Sequence, residues 1–124
     1  MNTIAMIARY LLGLAMLVFG ANKFLNFMPP PENMPADAMA FMGALMNSGY
    51  IIPTLGVIYI LAGLLLVINR AVPFALILLV PVSFNIVAFH LKFDPQGVLF
   101  AAVIAVLNLF LMYKNWDRFK SLFD

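Results

Sequence analysis

Three stretches of this chain, 50–68, 73–89 and 97–113, contain no charged residue at all, and a fourth, 4–27, carries only Arg9 and Lys23. A helix needs roughly 17–25 predominantly apolar residues to cross the ~30 Å hydrocarbon layer of a bilayer, and each run supplies that length. A soluble helix of this size would need a polar face, and these runs have none. With 65% hydrophobic residues, 10% charged residues and a mean hydropathy of +1.05, too little polar surface remains to wrap a soluble fold. The sequence therefore predicts an all-α integral membrane protein with spans at about 4–27, 50–68, 73–91 and 97–113.

The links at 69–72 and 92–96 are short, so neighbouring spans must run antiparallel: the chain has no length to return across the bilayer. The expected architecture is an up-down four-helix bundle, one domain over 1–124. Pro29, Pro30 and Pro31 end the first span, because three consecutive prolines cannot continue a helix. That span is long and firmly bounded, and it reads as a retained helix rather than a cleaved signal. The chain has no cysteine, which removes disulfides, thiolate metal sites, iron–sulfur clusters and thiol relays from consideration.

Basic residues divide unequally between the two ends of such a bundle. Arg9, Arg70, Lys114, Arg118 and Lys120 fall on one side, Lys23 and Lys92 on the other. The positive-inside rule puts the first side, with both termini, in the cytoplasm. A net charge of +2 gives no footprint for a nucleic acid partner. The tail YKNWDRFKSLF places Tyr113, Trp116 and Phe119 at helical spacing beside three cations, the pattern of a helix settling at the headgroup level. Arg9 and Arg70 are expected to snorkel to the headgroups.

Other features bound the helices. Asp94 before Pro95 reads as an N-cap, and Pro73 suits a first helical turn. Between the first two spans, Pro35 starts and Gly49 could end a short interfacial helix with Met39, Met42, Leu45 and Met46 on one side. Thioethers are soft ligands for Cu(I), but mixed with Phe41 and Leu45 the stripe reads better as adaptable packing. Gly13 and Gly20, and Gly56 and Gly63, repeat at seven residues, predicting a close seam between the first two spans.

At the non-cytoplasmic ends, Asn22 and Lys23 close the first span while Asn85, His90 and Lys92 close the third. Asn85 sits deep enough that its amide needs a partner, and Pro81 frees a carbonyl near Ile77 that a side chain could take up. Lys23, Asn85, His90 and Tyr59 are the donors available for a lipophilic ligand near one face, with His90 expected to donate a hydrogen bond rather than bind metal. One histidine cannot supply both axial ligands of a haem within a chain. No carboxylate lies within a span, so proton- or cation-coupled transport lacks its usual buried acid.

The stretches ARYLLGLAMLVFGANKF, GVIYILAGLLLVINR and NIVAFHLKFDP resemble the DoxX-like membrane proteins, with GANKF (20–24) and NIVAFH (85–90) the most specific segments. The resemblance spans nearly the whole chain. It implies a four-helix inner-membrane protein, a subunit or accessory component of a membrane oxidoreductase system. In that reading quinone is the implied ligand, and oxidoreductase subunits, membrane lipids or a second copy of the chain are the implied partners. One departure is Tyr59, which stands where many relatives carry a glutamate four residues before the glycine at Gly63. A phenol cannot carry protons at ordinary pH, which puts proton-coupled chemistry in doubt. The residues assign no catalytic group and no metal site. The rival expectation is a structural bundle or assembly protein with no redox or ligand-binding activity.

The topology is directly testable because the chain offers a cysteine-free background. Cysteines introduced in the 32–37 stretch should react with an impermeant maleimide in intact spheroplasts; labelling only after permeabilisation would reverse the orientation.

Overall fold

A computed structural model describes residues 3–27 and 34–120, which places the proline cluster at 29–31 outside the described residues. The described chain is all-α: α1 (Thr3–Leu25), α2 (Ala36–Asn47), α3 (Ile51–Ile68), α4 (Val72–Lys92), a 3-10 turn (Pro95–Gly97), α5 (Val98–Lys114) and α6 (Trp116–Phe119). Helices α1, α3 and α4, together with the continuous Pro95–Lys114 segment, are long and apolar enough to cross a membrane. The protein is a multi-pass membrane bundle, with α2 as the short helix between the first two spans.

The tightest contact is between α1 and α3, which run antiparallel. A Cβ at Gly63 would lie 2.7 Å from the carbonyl oxygen of Gly13, and one at Gly20 would lie 3.1 Å from that of Gly56. The seven-residue glycine repeats thus face each other in reverse order, bringing backbone against backbone as lipid-embedded helices require for close packing. Around this pair, α4 packs on α3, and α5 closes the ring against α4 and α1. Leu12, Met16, Leu66, Leu76, Leu79 and Leu111 form the fully buried centre.

Arg9 departs from the expected snorkelling. It is only 5% exposed, and its guanidinium donates to the carbonyl oxygens of Leu66 and Val67. Local helix-end chemistry explains this. At the end of α3, Asn69 adopts a left-handed conformation (φ 59°), and the Arg70 and Asn69 amides return to Leu65 and Leu66 at 3.0 and 3.3 Å. That closing motif leaves the carbonyl of Val67 without a partner, and Arg9 supplies the donor from the neighbouring helix. A cation at a helix C-terminus also meets the negative end of the helix dipole.

The polar residues within the closed half are likewise paired inside the protein. Ser83 donates to the Asn108 side-chain oxygen at 2.9 Å, and the Asn108 amide donates to the carbonyl of Leu76 at 3.3 Å. Pro81 removes one amide from this stretch of α4, and the carbonyl taken up by a side chain is that of Leu76, one residue from the expected Ile77. Satisfying these groups internally matters because the bilayer offers no water to replace a missing partner.

Two further expectations are corrected. Asp94 makes no side-chain capping bond, because the chain enters α5 through a 3-10 turn and the carboxylate faces His90 instead. The aromatic tail does not form one continuous face: α5 ends at Lys114, and Phe119 folds back to 1% exposure in the core while Tyr113 and Trp116 stay at the surface. Phe119 is therefore a plug for the end of the bundle that carries both termini.

The α1–α3 seam predicts a sharp contrast between glycines. Gly63→Leu must push against backbone and should lower stability in detergent by about 1–3 kcal/mol. Gly43→Leu, where a Cβ meets nothing within 4 Å, should leave the unfolding temperature near that of the parent.

Candidate functional site

The half of the bundle away from the termini is not filled. A cavity of about 760 Å³ lies there, within the ~300–1,000 Å³ range of sites that enclose small molecules. Its position follows from the helices that line it. On α3 the lining residues run from Ile51 to Tyr59, and on α4 from Leu78 to Phe93. Leu78, Pro81, Asn85, Ala88 and Lys92 recur at intervals of three and four, so one face of α4 forms the wall. Phe19 and Phe100 close the α1–α5 side by an edge-to-face contact at 5.1 Å.

The helix α2 makes the roof. Its inward side is Ala38, Phe41, Met42 and Leu45, of which the last three line the cavity. Met39 and Met46 point away, at 61% and 64% exposure, so the methionines expected on one side are split between two. Phe41 holds the roof in place by stacking on Phe93 at 5.2 Å and tilting against Phe89 at 5.6 Å. Such aromatic contacts stabilise by about 0.5–1.5 kcal/mol each beyond simple burial.

Lys23, Tyr59, Asn85 and His90, drawn from three helices, all line this one cavity, together with Lys92. Spacing along α4 left Asn85 and His90 on different faces. Both nonetheless line the same cavity, whose α4 wall runs from Leu78 to Phe93. Lys23 lies in the last turn of α1, and His90 and Lys92 in the last turn of α4, where positive groups complement the helix dipoles. The Lys23 ammonium stands 4.9 Å from the centre of the Tyr59 ring, a cation–π contact, and no ion pair to it occurs among the described residues. The Asn85 amide bonds back to the carbonyl of Pro81 at 2.8 Å, the local partner open to a short polar side chain on a helix.

His90 is held more tightly than its neighbours. Its Nδ1 lies 3.2 Å from the Asp94 carbonyl oxygen and 3.7 Å from the Asp94 carboxylate. A carbonyl only accepts, so the Nδ1–H donates to it. Gly97 makes the seat: a Cβ there would collide with the imidazole ring. The Phe41–Phe89–Phe93 cluster and the Gly97 seat were not singled out in the sequence, although Phe89 and Phe93 stand four apart as same-face neighbours on a helix.

Chemically, the arrangement offers a deep apolar slot with its cationic groups gathered at one end. It can hold the head of an amphiphile by charge or hydrogen bonds and its body by apolar contact. It presents no nucleophile–base pair among the described residues. No protein-family model, curated protein or solved structure matches the chain.

The seat of His90 can be probed chemically, since this is the only histidine. Gly97→Ala should displace the ring and raise the rate of its modification by diethyl pyrocarbonate several-fold. An unchanged rate would mean that Gly97 does not position it.

Proposed function

We propose that the protein is a membrane-embedded binding protein for a lipophilic molecule whose polar head accepts hydrogen bonds, as a quinone carbonyl or a lipid headgroup does. The observation that carries this reading is the cavity itself, lined by polar groups from three helices among largely apolar walls. The DoxX-like stretches 20–24 and 85–90 support a more specific role, as accessory component of a quinone-linked oxidoreductase system. They contribute Lys23, Asn85 and His90 to the mouth. The chain then supplies binding and presentation, and the electron-transferring groups belong to a partner subunit. The five-to-two division of basic residues supports an inner-membrane orientation with cytoplasmic termini, which puts the mouth on the outer side.

A fluorescent quinone or lipid analogue titrated into the purified protein tests this. Saturable binding is expected, and Lys23→Ala should weaken it about tenfold or more, the effect of losing a hydrogen bond to a charged group. His90→Ala should weaken it by a smaller factor, as the loss of one neutral contact. Binding unchanged in both variants would leave the bundle with a structural role only.

A further inference from the structure

The charges around the cavity are unbalanced. Lys23 and Lys92 line it, and no aspartate or glutamate does among the described residues. The carboxylate of Asp94 is turned to His90. Asp37 belongs to the first turn of α2 and is not part of the lining. Arg9, at the other end of α1, is held by the carbonyl oxygens of Leu66 and Val67 and lies over the Tyr10 ring, with its Nε left without a partner. Lys23 instead meets the face of Tyr59, which attracts a cation without neutralising it. A cation held beside apolar walls is costly unless an opposite charge accompanies it.

Depth adds a second constraint. The α4 wall from Leu78 to Lys92 extends for roughly 21 Å, and Met16 to Lys23 on α1 for roughly 10 Å, at about 1.5 Å per residue. The cavity thus reaches from the headgroup level to about the middle of a ~30 Å hydrocarbon layer. Its cations lie only at the outer end, and its walls below, including Phe19, Ile58, Leu78 and Phe100, are apolar. A molecule occupying it would lie as a lipid lies in its own leaflet. Pro81, Asn85 and Ala88 line the cavity and are exposed, so the slot is open rather than sealed along this face of α4.

Resting on the ligand-binding reading above, the geometry points to a single-chain amphiphile with an anionic head as the occupant. The carboxylate or phosphate lies at Lys23 and Lys92, and the chain descends between α3 and α4. The head supplies a counter-charge that none of the described lining residues provides, and the chain fills a slot one leaflet deep.

The test uses the parent protein in nanodiscs of zwitterionic lipid at pH 8, displacing a fluorescent lipophilic probe. The competitors are oleate, methyl oleate, a single-chain lysophosphatidate and a neutral short-chain quinone. Oleate, lysophosphatidate or both should displace the probe at concentrations at least about tenfold below the ester and the quinone. Whichever anion is stronger identifies the head as carboxylate or phosphate. Lys23→Gln should abolish most of the preference by weakening the two anions several-fold more than the ester or the quinone, and Lys92→Gln, at an exposed site, should reduce it in part. Equal displacement by ester, quinone and anions overturns the anionic-head inference and leaves the ligand-binding reading standing. A preference that survives both lysine substitutions overturns that inference as well. A probe that none of the four competitors displaces, or that never binds saturably, overturns both.

Discussion

The close antiparallel contact of α1 with α3 governs the rest of the molecule. In a bilayer, apolar side chains gain little by leaving lipid for protein, so helices stay together through van der Waals contact and polar bonds. Gly13 against Gly63 and Gly20 against Gly56 bring the two backbones into direct contact. Arg9 ties the same pair at one end by completing the capping of α3, and Lys23 lies on Tyr59 near the other. This pair is a fixed wall. The space beside it is then set by how α4, α5 and α2 are arranged around it.

Polar groups reveal the division between a closed and an open half. Near the middle of the bundle, on the packed side of α4, Ser83, Asn108 and the Leu76 carbonyl form a chain of bonds with both side chains buried. Leaving any of these unpaired would cost about 1–3 kcal/mol, which is why they appear as a connected set. In the open half, Lys23, Lys92, Asn85 and Tyr59 face a shared space. The same chain therefore treats polar atoms in two ways, sealing some against one another and directing others toward a cavity.

Much of this was legible in the sequence, because the strongest signals were long-range in character but simple in form. Uncharged runs of membrane length gave the number of helices, and short links gave their antiparallel order. Seven-residue glycine spacing gave the α1–α3 seam. The site was legible as a set of residues at one membrane level, Lys23, Tyr59, Asn85 and His90, but not as a shape. Cavity volume depends on how far α4 stands from α3, and no local pattern records that. Arg9 was misread because an arginine near a span end normally reaches water. Its destination depends on an unpaired carbonyl in another helix, fifty-seven residues along the chain. Phe119 was misread for a similar reason, since helical spacing with Tyr113 assumed a continuity that the turn at Asn115 breaks. Asp94 carried a strong local signal for capping, and a tertiary neighbour, His90, took its carboxylate instead.

The link between α3 and α4 is three residues long, and two of them, Asn69 and Ala71, hold left-handed backbone angles of 59° and 49°. An alanine there is strained by its own Cβ, so the link has little freedom to unwind. It sits at the closed end of the bundle, a full helix length from the mouth. Mechanically, α3 and α4 are two arms of a pair of tweezers with a stiff pivot. An arm of 18 residues is roughly 27 Å long, so a rotation of about 5° at the pivot moves its tip by about 2 Å. Small adjustments around a constrained turn are thus magnified into changes of width where a chain would slip in, with no helix needing to bend.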